Sequence, residues 1–411
     1  MAEDWHAATQ SLFSFEDPPL AMQKVRNSGK HITDRMYPGS CRVTRVHIRL
    51  AWRVAILRHL ATYTREREIR KGEILSFASH PFHLSAALPH ICLSPMMEST
   101  PTVFITRATG SQGGSLCYEL RKLGWNVRAT TRDLGSPAAR ALQAAGVNLI
   151  LGSWDDEDAL RKGLDGCNKL FLCLLPNLAD FEQAPRRAAL IARLAQEAGV
   201  NHAIASTTLG SFMVEPGYVP PVKLGPFFDA HIRSKKRVEQ AVIDGGFVHW
   251  TVLRPGFFMA NFIEPKIQFG YAETREGSWT NSLTAESPLG LVDHVDIARF
   301  AAAAFQDPNT YHGRKLGVIS EELRVQNAMD ELAEEIGDGR SIKAVFMTDE
   351  EIAQEQAKGS WLFFSSEPCV RYLENYTDLE ELRRLLPGLM TFKNFLLREK
   401  EAVKETYLSS N

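Results

Sequence analysis

The feature that most constrains the fold is a regular alternation of strand-like and helix-like segments that starts near residue 101. The predicted strands are short β-branched or apolar runs, and they cover 102–106, 126–131, 147–151, 169–175, 202–206 and 249–253. Residues 170–175 are apolar without interruption, which is typical of a central parallel strand covered on both faces. Because crossovers between parallel strands are right-handed, we expect an α/β fold of the doubly wound Rossmann type.

The first 97 residues lack this alternation, and we expect them to be a poorly ordered N-terminal extension. Residues 98–401 are the predicted folded domain. An arginine-rich segment at 42–71 allows an alternative, a basic amphipathic helix that meets a membrane or a partner. The N-terminus carries Glu3 and Asp4 without an apolar stretch, so we expect no secretory signal and a cytoplasmic protein.

Charge and cysteine content restrict the class of function. A formal net charge of −2 argues against a dedicated nucleic-acid binder, and an apolar run of about 18 residues, as a membrane helix needs, is missing. The six cysteines form no Cys-x-x-Cys pair, and no histidine pair completes a zinc pattern. We therefore expect buried thiols, no metal site, no membrane contact and no direct nucleic-acid contact.

A glycine-containing loop between the first predicted strand and the next helix is the most informative motif. Gly110 can let the chain approach a phosphate closely, and Gly113 can let the helix pack tightly on the strand. The helix N-terminus then presents free N–H groups and a positive dipole end. This context predicts a cradle for the diphosphate of a dinucleotide.

The segment Ala-Thr-Gly-Ser-Gln-Gly at 108–113 resembles the signature of NmrA-like proteins, a family that includes isoflavone-reductase-like enzymes and is an atypical branch of the short-chain dehydrogenases. The resemblance implies a Rossmann part at about 101–260 and a smaller C-terminal substrate-side lobe at about 261–401. Arg107 replaces the first glycine of the signature, where a positive φ would strain a side chain. Arg107 can add a cation to the diphosphate or block the site, and we expect binding to be retained. The cofactor-binding residues predicted in this loop are Arg107, Ala108, Thr109, Gly110, Ser111, Gln112 and Gly113.

The end of the second predicted strand indicates which dinucleotide is bound. NAD-binding folds place an acidic residue there, whereas NADP-binding folds place an arginine nearby. Here Thr131 is followed by Arg132 and Asp133. We expect Arg132 to bind the 2′-phosphate of NADP(H), and the alternative is a surface arginine paired with Asp133.

The resemblance implies further cofactor contacts after the third, fourth and sixth strands. The turn at 152–156 is similar to the family's G-D-x-x-D turn near adenine, although Ser153 replaces its first aspartate. The segment 254–261 resembles the family's R-P-x-x-F-x-x-N stretch, and its aromatic residues predict an apolar substrate wall or core packing. The cofactor-binding residues that the resemblance implies in these segments are Asp155, Leu175, Pro176, Asn177, Phe258 and Asn261.

A reductase needs a proton donor beside the hydride acceptor, and no Tyr-x-x-x-Lys pair follows the fifth predicted strand. Lys235 aligns with the lysine of the family and is implied to bind the nicotinamide ribose and to act as, or tune, the acid. His231 precedes it by one helical turn and is a second candidate, or else a loop histidine without a role. Lys236 and Arg237 are expected at solvated positions, and Tyr218 is not expected to be the acid.

The motifs together predict an NADP(H)-dependent oxidoreductase that reduces a small organic substrate, which the family resemblance places in secondary metabolism. The missing Tyr-x-x-x-Lys pair keeps an alternative open, a non-catalytic NADP(H) sensor that binds a transcription factor or another regulatory protein, as the resemblance to NmrA implies.

Overall fold

The computed structural model describes residues 100–219, 226–357, 371–372 and 376–409, and these fall within one compact unit. The predicted N-terminal extension and the arginine-rich segment at 42–71 lie outside the described residues. So do residues 220–225 of the loop that contains Tyr218. Each described helix is too short or too polar to span a lipid bilayer.

Strands and helices alternate along the described chain. The strands are β1 Thr102–Ile105, β2 Asn126–Thr131, β3 Asn148–Leu151, β4 Lys169–Leu172, β5 His202–Ser206, β6 His249–Pro255, β7 Phe257–Phe258, β8 Ser278–Asn281, β9 Pro288–Val292, β10 Arg314–Val318, β11 Glu321–Arg324 and β12 Lys343–Phe346. The helices are α1 Ser111–Lys122, α2 Pro137–Ala144, α3 Glu157–Leu164, α4 Gln183–Glu197, α5 Pro226–Ile243, α6 His294–Gln306, α7 Pro308–Tyr311, α8 Val325–Ile336, α9 Asp349–Ala357, α10 Leu379–Leu385, α11 Phe392–Arg398 and α12 Lys400–Leu408. Short 3₁₀ segments cover Leu209–Val214, Met259–Phe262, Lys266–Phe269 and Ala272–Glu276.

Seven strands form the main sheet in the order β3-β2-β1-β4-β5-β6-β10, and every neighbouring pair is parallel. This order confirms the predicted doubly wound Rossmann fold. The direction of winding reverses between β1 and β4, and open sheets of this kind bind ligands in the crevice at that point, at the carboxyl ends of the strands.

A buried threonine fastens the two strands at this switch point. The Thr106 hydroxyl donates to the carbonyl oxygen of Cys173 at 3.0 Å and accepts the amide of Cys173 at 2.7 Å. The β4 ladder ends at Leu172, and its chain is then held by a side chain instead of a neighbouring strand. The strand predicted to reach residue 175 is therefore shorter, which frees the chain from 173 onward to line the crevice.

Local capping explains where several helices begin. Ser136 accepts the Ala139 amide at 3.3 Å, and Pro137 stands at the first helical position, as the sequence predicts. Helix α3 begins at Glu157, because the Asp156 carboxylate accepts the Ala159 amide at 3.0 Å. Helix α5 begins at Pro226, so His231 and Lys235 lie on the same helix.

The smaller lobe contains the sheets β11-β9-β7 and β12-β8. Its core is aromatic, with the rings of Phe262 and Trp279 5.3 Å apart and those of Phe257 and Phe262 5.5 Å apart. Two helices near the C-terminus, α10 and α11, are separated by Pro387 and by Gly388 with φ 72°.

Candidate functional site

The glycine loop after β1 has the geometry of an anion cradle. Gly110 is the N-cap of α1, no side chain caps this helix, and its first turn has no acidic residue. A β-carbon on Gly113 would lie 2.3 Å from the carbonyl oxygen of Arg107, so only glycine allows the helix to approach the loop this closely. The uncapped N–H groups and the helix dipole favour a bound phosphate.

Arg107 adopts the left-handed conformation that the first glycine of the signature would adopt, with φ 55°. Its carbonyl accepts the amide of Gly110 at 3.0 Å, which closes the tight turn. Its side chain crosses Gly110, where an added β-carbon would lie 2.7 Å from Nε. The guanidinium therefore lies over the glycine loop, and burial lowers the pKa of Arg107 from its ordinary value.

The other loop residues differ in how they can serve a ligand. Ala108 is buried in the core, whereas Thr109 is exposed. The Gln112 amide oxygen accepts the hydroxyl of Ser206 at 2.7 Å, which ties α1 to the end of β5. Gln112 and Ser206 thus fix the helix beside the cradle. The predicted ligand role of the loop then depends on backbone N–H groups and on the Arg107 side chain.

The end of β2 leaves Arg132 exposed beyond Thr131. The carboxylate of Asp133 accepts the Gly135 amide at 2.7 Å, and the Thr131 hydroxyl donates to the Asp133 carbonyl at 3.0 Å. The alternative surface pair of Arg132 with Asp133 is not found among the ion pairs of the described ranges. Asp133 is held in its own turn, so the Arg132 guanidinium is available to a ligand.

Asp155 is held by an arginine of α4. Its carboxylate accepts the Arg187 Nε at 2.8 Å, and this hydrogen bond holds the pKa of Asp155 below its ordinary value. The Arg187 guanidinium also lies 5.9 Å from the centre of the Trp154 ring. Asp155 thus orders the turn after β3, and its predicted contact with adenine stays a prediction.

Lys235 reaches from α5 to the chain that leaves β4. Its ammonium donates to the carbonyl oxygen of Leu174 at 2.9 Å, next to the predicted cofactor residues at 175–177. Burial, and then the charge of Arg107, lower the pKa of Lys235 to about 8, although nearby Cys173 acts in the opposite direction. Leu175 is 38% exposed, and the Asn177 side-chain oxygen accepts the Ala179 amide at 3.0 Å. A lysine whose pKa is lowered to about 8 therefore stands at the carboxyl edge of β4.

His231 lies on α5 one turn before Lys235, so the alternative of a loop histidine is wrong. Its ring packs edge-on against Phe181 at 6.1 Å between centres, and its Nδ1 has no hydrogen-bond partner within the described ranges. Burial, and then the charge of Lys235, lower the pKa of His231 to about 4. His231 is therefore neutral at pH 7 and is a poor proton donor there.

The aromatic run after β6 divides between core and cleft. Phe257, Met259 and Phe262 are buried in the core of the smaller lobe. Of the two predicted alternatives, core packing therefore holds for these three side chains. Phe258 is partly exposed, and the Asn261 amide donates to the Tyr271 hydroxyl at 3.5 Å.

A buried ion network beside the crevice was not predicted. Arg254 is fully buried, donates to the Glu239 carboxylate at 2.9 Å and 2.6 Å, and lies 4.3 Å above the Phe212 ring. Lys236 joins the network through Glu215 at 2.6 Å and Glu239 at 3.3 Å. The prediction of a solvated Lys236 is therefore wrong, because its ammonium pairs with Glu239 of its own helix and with Glu215, 21 residues earlier in the sequence.

Arg237 pairs with Glu182 on the surface and is 46% exposed, which confirms its predicted solvated position. Tyr218 is hydrogen-bonded through its hydroxyl to the hydroxyl of Tyr376. This contact agrees with the expectation that Tyr218 is not the acid. Cys117, Cys167 and Cys173 are buried free thiols, as predicted for this class of cysteine.

Lys266 is a further candidate site residue, which the sequence analysis does not identify. It begins a 3₁₀ segment of the smaller lobe, and its ammonium lies 4.7 Å from the centre of the Phe258 ring. Burial, and then the charge of Arg107, lower the pKa of Lys266 to about 8, while Asp293 acts in the opposite direction. A short irregular segment has no periodic sequence pattern, so the sequence alone indicates a surface position for its lysine.

The sequence profile described as "NmrA-like family" matches residues 99–362. The chain belongs to the NmrA-like family. An NAD(P)H azoreductase of Xenophilus azovorans is 27% identical over 252 residues, which cover 61% of this chain and 79% of the relative. A (4-alkanoyl-5-oxo-2,5-dihydrofuran-3-yl)methyl phosphate reductase of Streptomyces griseus is 30% identical over 223 residues, which cover 54% of this chain and 68% of the relative.

Solved structures of this family share the fold. The negative transcriptional regulator NmrA in complex with NADP has a TM-score of 0.55 and 19% identity, and the match covers 75% of this chain and 96% of NmrA. The family therefore contains proteins named as reductases and one named as a regulator, so membership alone does not decide between the two predicted functions.

Proposed function

We propose that the protein is an NADP(H)-dependent oxidoreductase that reduces a small organic substrate. The observation that carries this proposal is the position of Lys235, whose ammonium reaches the carbonyl of Leu174 at the carboxyl edge of β4. That edge faces the crevice beside the uncapped glycine loop. A proton source and a dinucleotide cradle thus share one crevice.

The residues of the crevice fit a dinucleotide. The N–H groups of the first turn of α1 and the guanidinium of Arg107 would hold the diphosphate, and the free guanidinium of Arg132 would bind the 2′-phosphate. When bound, the nicotinamide supplies the hydride. The choice of NADP(H) over NAD(H) depends on Arg132, because Asp133 is held by Gly135 and is turned into its own loop.

Lys235 is the residue that we assign to proton donation. A pKa near 8 leaves its ammonium mostly protonated at pH 7 and still able to release a proton to a developing anion on the substrate. His231 is neutral at this pH, so we give it a packing role against Phe181 and a role in lowering the polarity around Lys235. The names of the reductase relatives from X. azovorans and S. griseus support an oxidoreductase function for the protein.

One observation favours the second candidate function, an NADP(H) sensor that binds a regulatory protein. The Arg107 side chain covers Gly110, so a nucleotide can reach the glycine loop only if this side chain shifts. A sensor that exchanges its nucleotide slowly would tolerate this requirement. The fold likeness to the regulator NmrA agrees with this candidate. The sensor keeps the same dinucleotide and differs in lacking turnover.

Turnover and binding together separate the candidates. NADPH oxidation is followed by absorbance with ketones, enones, quinones and azo compounds, and binding of NADPH and NADH is measured by calorimetry. The proposal expects turnover with at least one acceptor class and its loss in Lys235→Ala with binding retained. Tight NADPH binding without turnover would favour the sensor, and no binding of either nucleotide to folded protein would refute both.

Dinucleotide choice is tested with Arg132→Ala. Loss of a charged hydrogen bond costs about 1.5–3 kcal/mol, so NADPH should bind about tenfold to a hundredfold more weakly while NADH is unaffected. The control is Arg384→Ala, which removes another exposed arginine, from α10. Equal losses for the two nucleotides would remove Arg132 from this role.

A further inference from the structure

We propose that the substrate of the crevice is an apolar molecule that carries an anionic group, a carboxylate, phosphate or sulfonate, and that Lys266 binds this group while Phe258 contacts the adjoining apolar part. This inference rests on the proposed function, because it names the substrate class of the same site. It concerns the smaller lobe, to which Lys266 and Phe258 belong.

Lys266 has an ammonium without an acceptor. Neither a carboxylate nor a carbonyl oxygen accepts from its Nζ in the hydrogen bonds and ion pairs of the described ranges, and its contact is the Phe258 ring at 4.7 Å. An ammonium has three N–H groups to satisfy, and a partly buried one without acceptors is costly. The lowered pKa of Lys266 has this origin, since burial is its main cause.

The charges around Lys266 are mostly positive. Arg107 acts on both Lys266 and Lys235 and lowers the pKa of each. Asp293 is the carboxylate that acts on Lys266 in the opposite direction, but it accepts two hydrogen bonds from Arg398, at 2.6 Å and 3.0 Å. Arg107 therefore repels both Lys266 and Lys235, and the nearby carboxylate of Asp293 is already paired with Arg398.

A bound dinucleotide alone does not balance the charges of Arg107, Lys235 and Lys266. Its diphosphate would lie at the N-terminus of α1, where Arg107 can neutralise it. Lys235 has the Leu174 carbonyl as a partner, whereas Lys266 is on the other lobe and keeps its unmet donors. A second anion beside the dinucleotide satisfies Lys266, and this anion is the charged group of the substrate.

Phe258 adds the apolar part of the recognition. Its backbone pairs with Val292 of β9, which fixes the residue at the lobe boundary, and its ring is partly exposed while Phe257 and Met259 are buried. A cation over a partly exposed aromatic ring favours a ligand with an anionic end and a flat apolar body. A small polar anion would have no apolar part to contact the Phe258 ring.

The test measures binding of 2-naphthoate and its neutral analogue 2-naphthamide to the full chain saturated with NADP⁺. Saturation fills the diphosphate and 2′-phosphate sites, so a further anion must bind elsewhere. Because charge-assisted hydrogen bonds are the strong ones, 2-naphthoate should bind about tenfold or more tightly than 2-naphthamide. Lys266→Met should abolish this preference and leave the affinity for 2-naphthamide within about twofold.

The control variant is Lys343→Met, which removes an exposed lysine of the same lobe and should keep the preference for 2-naphthoate. Equal affinities for the two ligands in the unmodified protein would overturn the inference, as would a preference that survives Lys266→Met. Competition of 2-naphthoate with NADP⁺ would also overturn it, because Lys266 would then serve the cofactor. Failure of NADP⁺ itself to bind would instead refute the proposed function, so the two failures are distinguishable.

Discussion

Restoring the glycine of the family signature, Arg107→Gly, is the most informative single change in the crevice. Arg107 has φ 55°, and a side chain in the left-handed region costs about 1–2 kcal/mol. Glycine costs about 0.5–1 kcal/mol through the larger entropy of the unfolded chain. The two terms nearly cancel, so the free energy of unfolding should stay equal or rise by up to about 1.5 kcal/mol. Relief of repulsion with Lys235 and Lys266 acts in the same direction.

Nucleotide binding should change in the opposite direction. If the guanidinium binds the diphosphate, its loss removes charged hydrogen bonds worth about 1.5–3 kcal/mol, which weakens binding about tenfold to a hundredfold or more. Because the diphosphate is common to both nucleotides, NADPH and NADH should be weakened by the same factor. This equal loss distinguishes Arg107 from Arg132, whose loss should affect NADPH alone.

Arg107→Asn is the matched variant, because asparagine tolerates the left-handed conformation and carries no charge. Calorimetric titration with both nucleotides and urea unfolding are measured for the three proteins. Both variants should bind weakly and fold normally. Tighter binding by Arg107→Gly would show that the arginine blocks the loop, and a loss of stability above about 1 kcal/mol would refute the strain argument.

Two predictions concern pH. If Lys235 donates the proton, turnover at saturating substrate should fall as the pH rises through about 8. The variant Lys235→Arg should move that fall to higher pH. A flat profile of turnover from pH 7 to 9.5 would exclude the assignment. His202 is buried between the rings of His249 and Phe305, and burial above all lowers its pKa from 6.5 to about 3. The unfolded chain binds this proton first, so unfolding free energy should be lost as the pH falls from about 6.5 toward 3, by at most about 1.4 kcal/mol per unit. Urea midpoints at pH 7 and pH 5 should show a smaller acid loss in His202→Phe, and an unchanged loss would contradict the cause.

The Rossmann part could be predicted from the sequence because its signals are local. The uninterrupted apolar run at 170–175 identified a central strand, and Ser136 with Pro137 marked the start of α2. The glycine loop and Lys235 were also readable, since a resemblance over a few residues fixes their place in the fold.

Burial of side chains in the second half could not be read in this way. The aromatic run at 257–262 has no clean period, and three of its apolar side chains enter the core formed with Trp279. Lys236 shares a helix with exposed Arg237, yet it pairs with Glu239 of that helix and with Glu215, 21 residues earlier in the sequence. Which face of a segment is covered depends on elements far away in the sequence.

The contrast between local and long-range contacts also separates the proposed cofactor site from the proposed substrate site. The dinucleotide cradle is one contiguous loop and helix, so a change within it alters binding of every nucleotide. The proposed anion site instead combines Phe258 and Lys266, with Asp293 held by Arg398 more than a hundred residues later. None of these residues belongs to the uncapped helix that we propose to hold the diphosphate. An architecture of this kind lets the cofactor site stay unchanged while the substrate site varies. Lys266 is therefore the residue to substitute first in order to alter the substrate preference that we propose.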